Sequence, residues 1–389
     1  MKTVEKIDGE RTLLTEWRRD FHAHPEIGME EKRTSQLVAE RLASFGCEVE
    51  TNIGKTGVVG TLRVGGGNRS IGLRADMDAL PINEANTFGH KSTVPGVMHA
   101  CGHDGHTAML LGAAKYLAET KNFNGTVHFI FQPAEEGLGG ASAMLKDGLF
   151  EKFPCESIFA LHNYPGLAVG AVSLREGPMM ASGAFFDITV EGKGCHGAFP
   201  ERGIDPIVVS SNIVGALQTV VSRNMRPIDA GVVSVTQIHG GAAYNVIPQR
   251  VVLSGTARAF SRNNMEVIES RIRSLVNGVA VGHGASAEID FRLIFAPTIN
   301  DADETAFFSE VASGMLGADN IGRQDLLMGS EDFSFMLEQC PGVFALLGNG
   351  MSGGELHSDT YEFNDEILPI GASLFARIVE EKLQRAGMQ

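Results

Sequence analysis

Residues 183–191 read GAFFDITVE, a run of aromatic and β-branched residues that predicts a strand. The sequence that follows decides the fold around it. Residues 205–222 (DPIVVSSNIVGALQTVVS) predict a helix, and 232–238 (VVSVTQI) and 249–259 (QRVVLSGTARA) predict two strands. A long helix over 263–281 and a strand over 286–294 (SAEIDFRLI) complete the set. The order is β-α-β-β-α-β, the split ferredoxin-like unit, which closes on itself. Residues 180–295 are therefore expected to form a small separate domain.

The flanking sequence has a different rhythm. Residues 31–45 place Leu37, Val38, Arg41, Leu42 and Phe45 on one helical face, and Gly46 is a stop signal. Strands are predicted at 57–64 (GVVGTLRV) and 71–75 (IGLRA), a helix at 106–119, and a strand at 125–131 (GTVHFIF). A short helix at 140–147 and a strand at 157–161 (SIFAL) follow. Beyond the insertion, the pattern resumes with a helix at 302–315, a strand at 342–347 and a C-terminal helix at 366–385. Strands alternating with helices predict an α/β domain with a mixed, mostly parallel sheet flanked by helices. Residues 1–179 and 296–389 are expected to form it as one discontinuous domain.

The 389 residues include 32 basic and 47 acidic side chains, a net charge of −15. That balance argues against a nucleic-acid surface, which needs a basic stripe. Five cysteines, at 47, 101, 155, 195 and 340, form no regular framework, so reduced thiols are expected. The charged opening segment has no apolar core, and no run of about 18 apolar residues occurs. Neither a signal peptide nor a membrane span is expected, and a cytoplasmic location is.

Chemistry-bearing residues collect where predicted strands end. Asp76 and Asp78 follow IGLRA, Glu135 and Glu136 follow GTVHFIF within QPAEEG, and His162 follows SIFAL. Residues 99–106, HACGHDGH, precede a helix. The crevice beyond the carboxyl ends of such strands is where α/β sheets bind ligands. Cys101 and His103, two apart, suit one face of an extended loop, with Gly102 leaving room between them. His99 and His106 are expected to serve position only. Thiolate, imidazole and carboxylate together suit a divalent transition metal. A hydrolytic metal site needs a carboxylate ligand and a separate general base, and an adjacent glutamate pair can supply both.

Taken together, GLRADMDALP (72–81), HACGHDGHTAMLLGAA (99–114), FQPAEEGLGGA (131–141), ALHNYP (160–165), GKGCHGAFP (192–200), GSEDFSF (329–335) and LHSDTYEFND (356–365) resemble the M20 family of metallopeptidases and amidohydrolases. The resemblance is to the branch that includes hippurate hydrolase, N-acyl-L-amino acid amidohydrolases and auxin-conjugate hydrolases, and it covers nearly the whole chain. It implies a zinc-peptidase-like catalytic domain with an inserted lid and dimerisation domain. It also implies two divalent metal ions per subunit (Zn, Mn, Co or Ni) on Cys101, His103, Glu136, His162 and His357, with Glu135 as general base. By the same resemblance Asp78 supports the ligands, and Asp104, which follows the ligand pair, is expected to support them too. Asp76 stands where other branches place a histidine ligand. In the inserted domain, His196 matches a histidine that reaches the partner subunit's site and stabilises the oxyanion. Asn245 and Arg258 match substrate contacts, the guanidinium holding a free α-carboxylate.

The expected reaction is hydrolysis of an N-acyl amino acid to a carboxylic acid and a free amino acid, in a homodimer formed through the inserted domain. A dipeptidase or aminopeptidase on the same metal platform is the alternative, and it would need a group for the substrate's ammonium. A cysteine hydrolase built on Cys101 and His103 would leave Glu135, Glu136 and His162 idle. A non-catalytic metal-binding protein would have no need of Glu135 beside Glu136.

Overall fold

The computed structural model describes residues 2–384. The chain divides into two compact units. One comprises the chain up to Met179, Ile299–Asp325 and the chain from Asp332 onward; the other comprises Met180–Thr298 and Leu326–Glu331. Residues 326–331, expected with the outer domain, join the inserted unit for a local reason. Ala181 donates its amide to Leu327 O and Gly329 O, so backbone hydrogen bonds tie this segment to the start of the insertion.

The larger unit is built on an eight-stranded sheet. Its order is Glu48–Ile53, Gly57–Val64, Gly125–Gln132, Ser70–Asp76, Ser157–Pro165, Gly342–Gly350, Val172–Leu174, Ile321–Arg323. The four central strands run parallel; Gly57–Val64 and Glu48–Ile53 add antiparallel on one side, and on the other Val172–Leu174 joins antiparallel with Ile321–Arg323 parallel to it. Apolar runs such as GTVHFIF and SIFAL form the central strands because both faces of a parallel sheet are covered. Phe129, Phe131 and Phe159 are fully buried there. The helix His103–Thr120 packs against the helices Arg11–Ala23 and Leu368–Lys382. The expected end of the last helix, at 385, lies outside the described residues. In the helix Lys32–Ser44, Thr34, Val38 and Leu42 form the buried stripe. Gly46 (φ 89°) ends that helix in the left-handed region.

The inserted unit carries a four-stranded antiparallel sheet. Its order is Gly231–Gly240, Arg250–Ala259, Ser182–Glu191, Ser286–Phe295. Ala184, Phe186, Ile188 and Val190, on one face of the strand Ser182–Glu191, share a core with Val209, Ile213, Ile268 and Ile272 of two helices. The predicted helix over 205–222 is two helices, Pro206–Leu217 and Thr219–Asn224. Asp205 caps the first by accepting from Ile207 N and Val208 N, with Pro206 in the opening turn. Ser261 caps the long helix Arg262–Gly282 through Asn264 N. Among the described residues, no helix is long and apolar enough to cross a membrane.

Candidate metal centre and its buried support

Three parallel strands bring their carboxyl ends to one rim of the larger unit. Asp76 closes Ser70–Asp76, Glu135 and Glu136 lie just past Gly125–Gln132, and His162 lies inside Ser157–Pro165. The helix starts at His103, three residues before its predicted start, with Gly102 (φ 92°) as its N-cap. Cys101 and His103 therefore converge through a left-handed glycine rather than through the expected extended loop.

Five candidate ligands meet here. Donor atoms of Cys101, His103 and His162 lie within 4.8 Å of one another, as do those of Cys101, Glu136 and His357, and those of His103, Glu135 and Glu136. Cys101 Sγ is 3.4 Å from His162 Nε2, and His357 Nε2 is 3.1 Å from Glu136 Oε1. His357 and Ala134 are two of the few non-glycine residues with positive φ (63° and 52°). Such strain persists only where surrounding bonds impose it. His357 N donates to Ala100 O at 2.8 Å, and Ala134 N donates to Glu31 Oε1 at 2.8 Å.

The imidazoles are oriented for coordination. His103 Nδ1 faces Asp78 O at 2.9 Å and Asp78 Oδ1 at 3.2 Å, and His162 Nδ1 bonds to Asn163 O at 2.6 Å. These acceptors fix a proton on Nδ1 and leave each Nε2 as the atom that would face a metal. His103 Nε2 is buried and has no hydrogen-bond partner. Burial first, then the neighbouring His106 and His103 rings, hold His162 well below its ordinary range, so its ring is neutral. Burial opposes charge on His103, but Asp76, Asp78 and Glu136 outweigh it and hold the ring at about 10. Burial, then Glu136, Glu135 and Asp76, push the Cys101 thiol well above its ordinary value. A thiolate among so many carboxylates needs a cation beside it. The donor set thus fits divalent transition metals on Cys101, His103, Glu136, His162 and His357.

Asp78 holds the acidic pair in place. Its Oδ1 accepts from Glu135 N at 3.0 Å and its Oδ2 from Glu136 N at 3.0 Å. Asp76 has no such freedom. His106 Nδ1 bonds its Oδ1 at 2.6 Å and Arg74 Nη1 donates to its Oδ2 at 2.8 Å, so its carboxylate is engaged on both oxygens.

Asp104 bonds elsewhere than the candidate ligands. Its Oδ2 accepts from His22 Nδ1 at 2.8 Å and stands 3.4 Å from Arg18 Nη1, with all three side chains buried. His22 Nε2 reaches Glu84 Oε1 at 3.1 Å. Burial disfavours the His22 cation, but Asp104 and Glu84 outweigh it and raise the ring to about 9. A raised folded-state value makes this proton stabilising. The contribution is full below the unfolded value near pH 6.5 and is lost as pH rises through about 9, and it amounts to roughly 3 kcal/mol. Chelator-treated wild type is therefore expected to lose its stability advantage over His22→Gln between pH 6.5 and 9, read as the difference in Tm. An equal Tm slope in both proteins would remove His22 from this role.

His196, Asn245 and Arg258 belong to the inserted unit. The strand Cys195–His196 pairs with Val246–Ile247, and Gly197 N donates to Asn245 O at 2.7 Å, so His196 and Asn245 sit side by side. His196 Nδ1 accepts from Ala198 N at 3.1 Å, which leaves an exposed Nε2–H as donor. Arg258 borders a groove of about 530 Å³ with Phe185, Thr236 and Arg292, and its Nη1 donates to Thr256 Oγ1 at 2.6 Å. His106, Asn163 and Tyr361 also take part in the buried bonding, and the sequence reading assigned none of them to the site.

The profile of Peptidase family M20/M25/M40 matches residues 72–381. The chain is 43% identical over 368 residues to a hippurate hydrolase of Campylobacter jejuni, covering 94% of this chain and 96% of that one. It is 44% identical over 376 residues to IAA-amino acid hydrolase ILR1-like 4 of Arabidopsis thaliana, covering 94% and 84%. A solved dinuclear metal-binding peptidase of the M20 family from Bacillus subtilis superposes with a TM-score of 0.84 at 33% identity, covering 97% and 99%. The candidate donor set and the parallel-strand rim agree with these matches, and the profile and relatives show that the chain belongs to peptidase family M20/M25/M40.

Proposed function

We propose that the protein is a metal-dependent amidohydrolase. It hydrolyses the amide bond of N-acyl amino acids, hippurate-like substrates included, to a carboxylic acid and a free amino acid. The observation that carries this reading is Glu135 beside Glu136, with both amides pinned by the Asp78 carboxylate at the edge of the ligand cluster. The names of the hippurate and IAA-amino acid hydrolases among its relatives support the substrate class.

Cys101, His103, Glu136, His162 and His357 would hold two divalent ions, Zn, Mn, Co or Ni. When bound, such ions polarise a carbonyl and make water more acidic. Glu135 takes the proton from the attacking water and returns it to the leaving amine. Asp78 keeps Glu135 and Glu136 in place through their amides and holds the His103 tautomer. His196, from the second subunit of a homodimer formed through the inserted unit, donates Nε2–H to the developing oxyanion. Arg258 holds the substrate carboxylate and Asn245 contacts the substrate. The working location is the cytoplasm.

An activity panel tests the reading. Benzoyl-glycine, other N-acyl amino acids and glycyl dipeptides are each assayed with Mn, Zn, Co and Ni. Turnover of the N-acyl series above the dipeptides is expected, together with a light-scattering mass of two subunits. Faster turnover of free dipeptides would assign the chain to peptidase chemistry. Metal-loaded protein that turns over none of the panel would remove the enzymatic reading.

A further inference from the structure

We propose that Asn163 and Tyr361 are positioning residues that fix the Cys101–His162 edge of the metal centre. The inference rests on the metal-centre reading above and concerns residues to which that reading gives no role.

Asn163 and Tyr361 are fully buried. The Asn163 amide bonds at both ends: Nδ2 donates to Cys101 O at 2.6 Å, and Oδ1 accepts from Tyr361 OH at 2.5 Å. A carbonyl cannot donate, so Cys101 O demands the amide nitrogen, and the tyrosine hydroxyl then donates to the oxygen. The backbone of Asn163 is committed as well. Its carbonyl accepts from His162 Nδ1 at 2.6 Å, and its N–H donates to His106 Nε2 at 3.0 Å. One residue thus grips the backbone of one proposed ligand and the ring of another.

The fit leaves no slack. A Cβ on Gly102 would stand 2.2 Å from Asn163 Nδ2 and 2.6 Å from Tyr361 OH. The loop carrying Cys101 therefore closes directly onto the amide and the phenol. Tyr361 lies four residues beyond His357, so the three segments bearing Cys101, His162 and His357 all meet at this pair. The bonding also runs on to the proposed base. His106 Nδ1 bonds Asp76 Oδ1, Arg74 donates to Asp76 and Gln132, Gln132 donates to Asp332, and Asp332 N donates to Glu135 Oε1 at 3.3 Å. Buried polar networks of this kind hold one geometry when every member is satisfied and lose it when one partner is removed.

Tyr361→Phe deletes one hydroxyl and keeps the ring. It leaves Asn163 Oδ1 without its donor and frees the amide to turn away from Cys101 O. Asn163→Asp keeps the shape but removes the donor to Cys101 O. Tyr116→Phe is the control, since it removes a hydroxyl bonded to Glu380 at 2.9 Å instead. Cobalt-substituted proteins are compared by their thiolate-to-cobalt charge-transfer band and by chelator competition for Co²⁺, alongside kcat and KM. Wild type and Tyr116→Phe are expected to match. Tyr361→Phe and Asn163→Asp are expected to bind Co²⁺ roughly 10–100-fold more weakly, with a weakened, shifted band and a lower kcat at unchanged KM. A folded Tyr361→Phe with wild-type band, Co²⁺ affinity and kcat overturns the inference. Wild type without a thiolate band overturns the ligand role of Cys101 itself, a separate failure visible before any variant is made.

Discussion

Glu135→Gln is expected to lower kcat by roughly 10²–10⁴-fold while metal content stays at the wild-type level. The change is nearly isosteric. The glutamine side-chain oxygen can still accept from Asp332 N, as Glu135 Oε1 does at 3.3 Å. The backbone stays put because Asp78 Oδ1 holds the residue 135 amide and Asp78 Oδ2 holds the Glu136 amide. Ala134, in its left-handed conformation, sets the direction of the chain just before the pair. What disappears is the basic oxygen that accepts a proton, since a neutral amide cannot. Elemental analysis of the purified variant beside its turnover of benzoyl-glycine separates the two effects. Near-normal turnover with full metal would transfer the base role to another group. Loss of metal together with turnover would mean that Glu135 is a ligand in its own right.

Much of the fold is legible in the sequence because burial writes itself into residue pattern. GTVHFIF and SIFAL read as strands because strands covered on both faces need apolar residues throughout. The insertion is legible because its strands and helices alternate in a self-contained order. The last two strands of the sheet, Val172–Leu174 and Ile321–Arg323, are three residues long and carry too few positions for any period to show. Residues 326–331 look like part of the outer domain, and backbone bonds from Ala181 to Leu327 and Gly329, which depend on no side-chain identity, tie them to the insertion.

The site divides in the same way. Cys101, His103, Glu136 and His162 stand near strand ends or a helix start, where a crevice is anticipated from topology. His357 becomes legible only through the family resemblance, because its place depends on a left-handed turn and a backbone bond to Ala100. The sequence predicts a helix from 106, with Gly102 only leaving room between Cys101 and His103. Instead Gly102 caps the helix, and Gly105 sits inside it, where a Cβ would stand 2.1 Å from the Phe363 ring. Asp104 looks like support for its neighbouring ligand, yet a helix turns successive side chains in different directions, and Asp104 meets Arg18 and His22. Asn163 and Tyr361 are 198 positions apart, so only the folded chain pairs them.

Removing the Asp78 carboxylate is expected to damage affinity and stability together. Asp78 accepts from Glu135 N and Glu136 N at 3.0 Å each and stands 3.2 Å from His103 Nδ1, with its side chain almost fully buried. In Asp78→Ala both amides, one buried and one part-buried, lose their acceptor. His103 keeps only the backbone oxygen of residue 78, at 2.9 Å, to hold its tautomer. Each stranded buried donor costs about 1–3 kcal/mol, and loss of the charge beside His103 adds to that, so a stability loss of about 3 kcal/mol or more is expected. Metal affinity is expected to fall roughly 10–100-fold, because Glu136 and His103 lose the group that aims them both. Asp78→Asn should lie between Ala and wild type, since its one carbonyl oxygen can satisfy one amide while its NH₂ opposes the other. Urea denaturation of chelator-treated protein reads the stability order, and calorimetric metal titration reads the affinity order. If Asp78→Ala binds metal as wild type does, the acidic pair is positioned by the strained turn at Ala134 rather than by this carboxylate. An Asn variant weaker than Ala would instead show that repulsion from the new NH₂ outweighs the acceptor it retains.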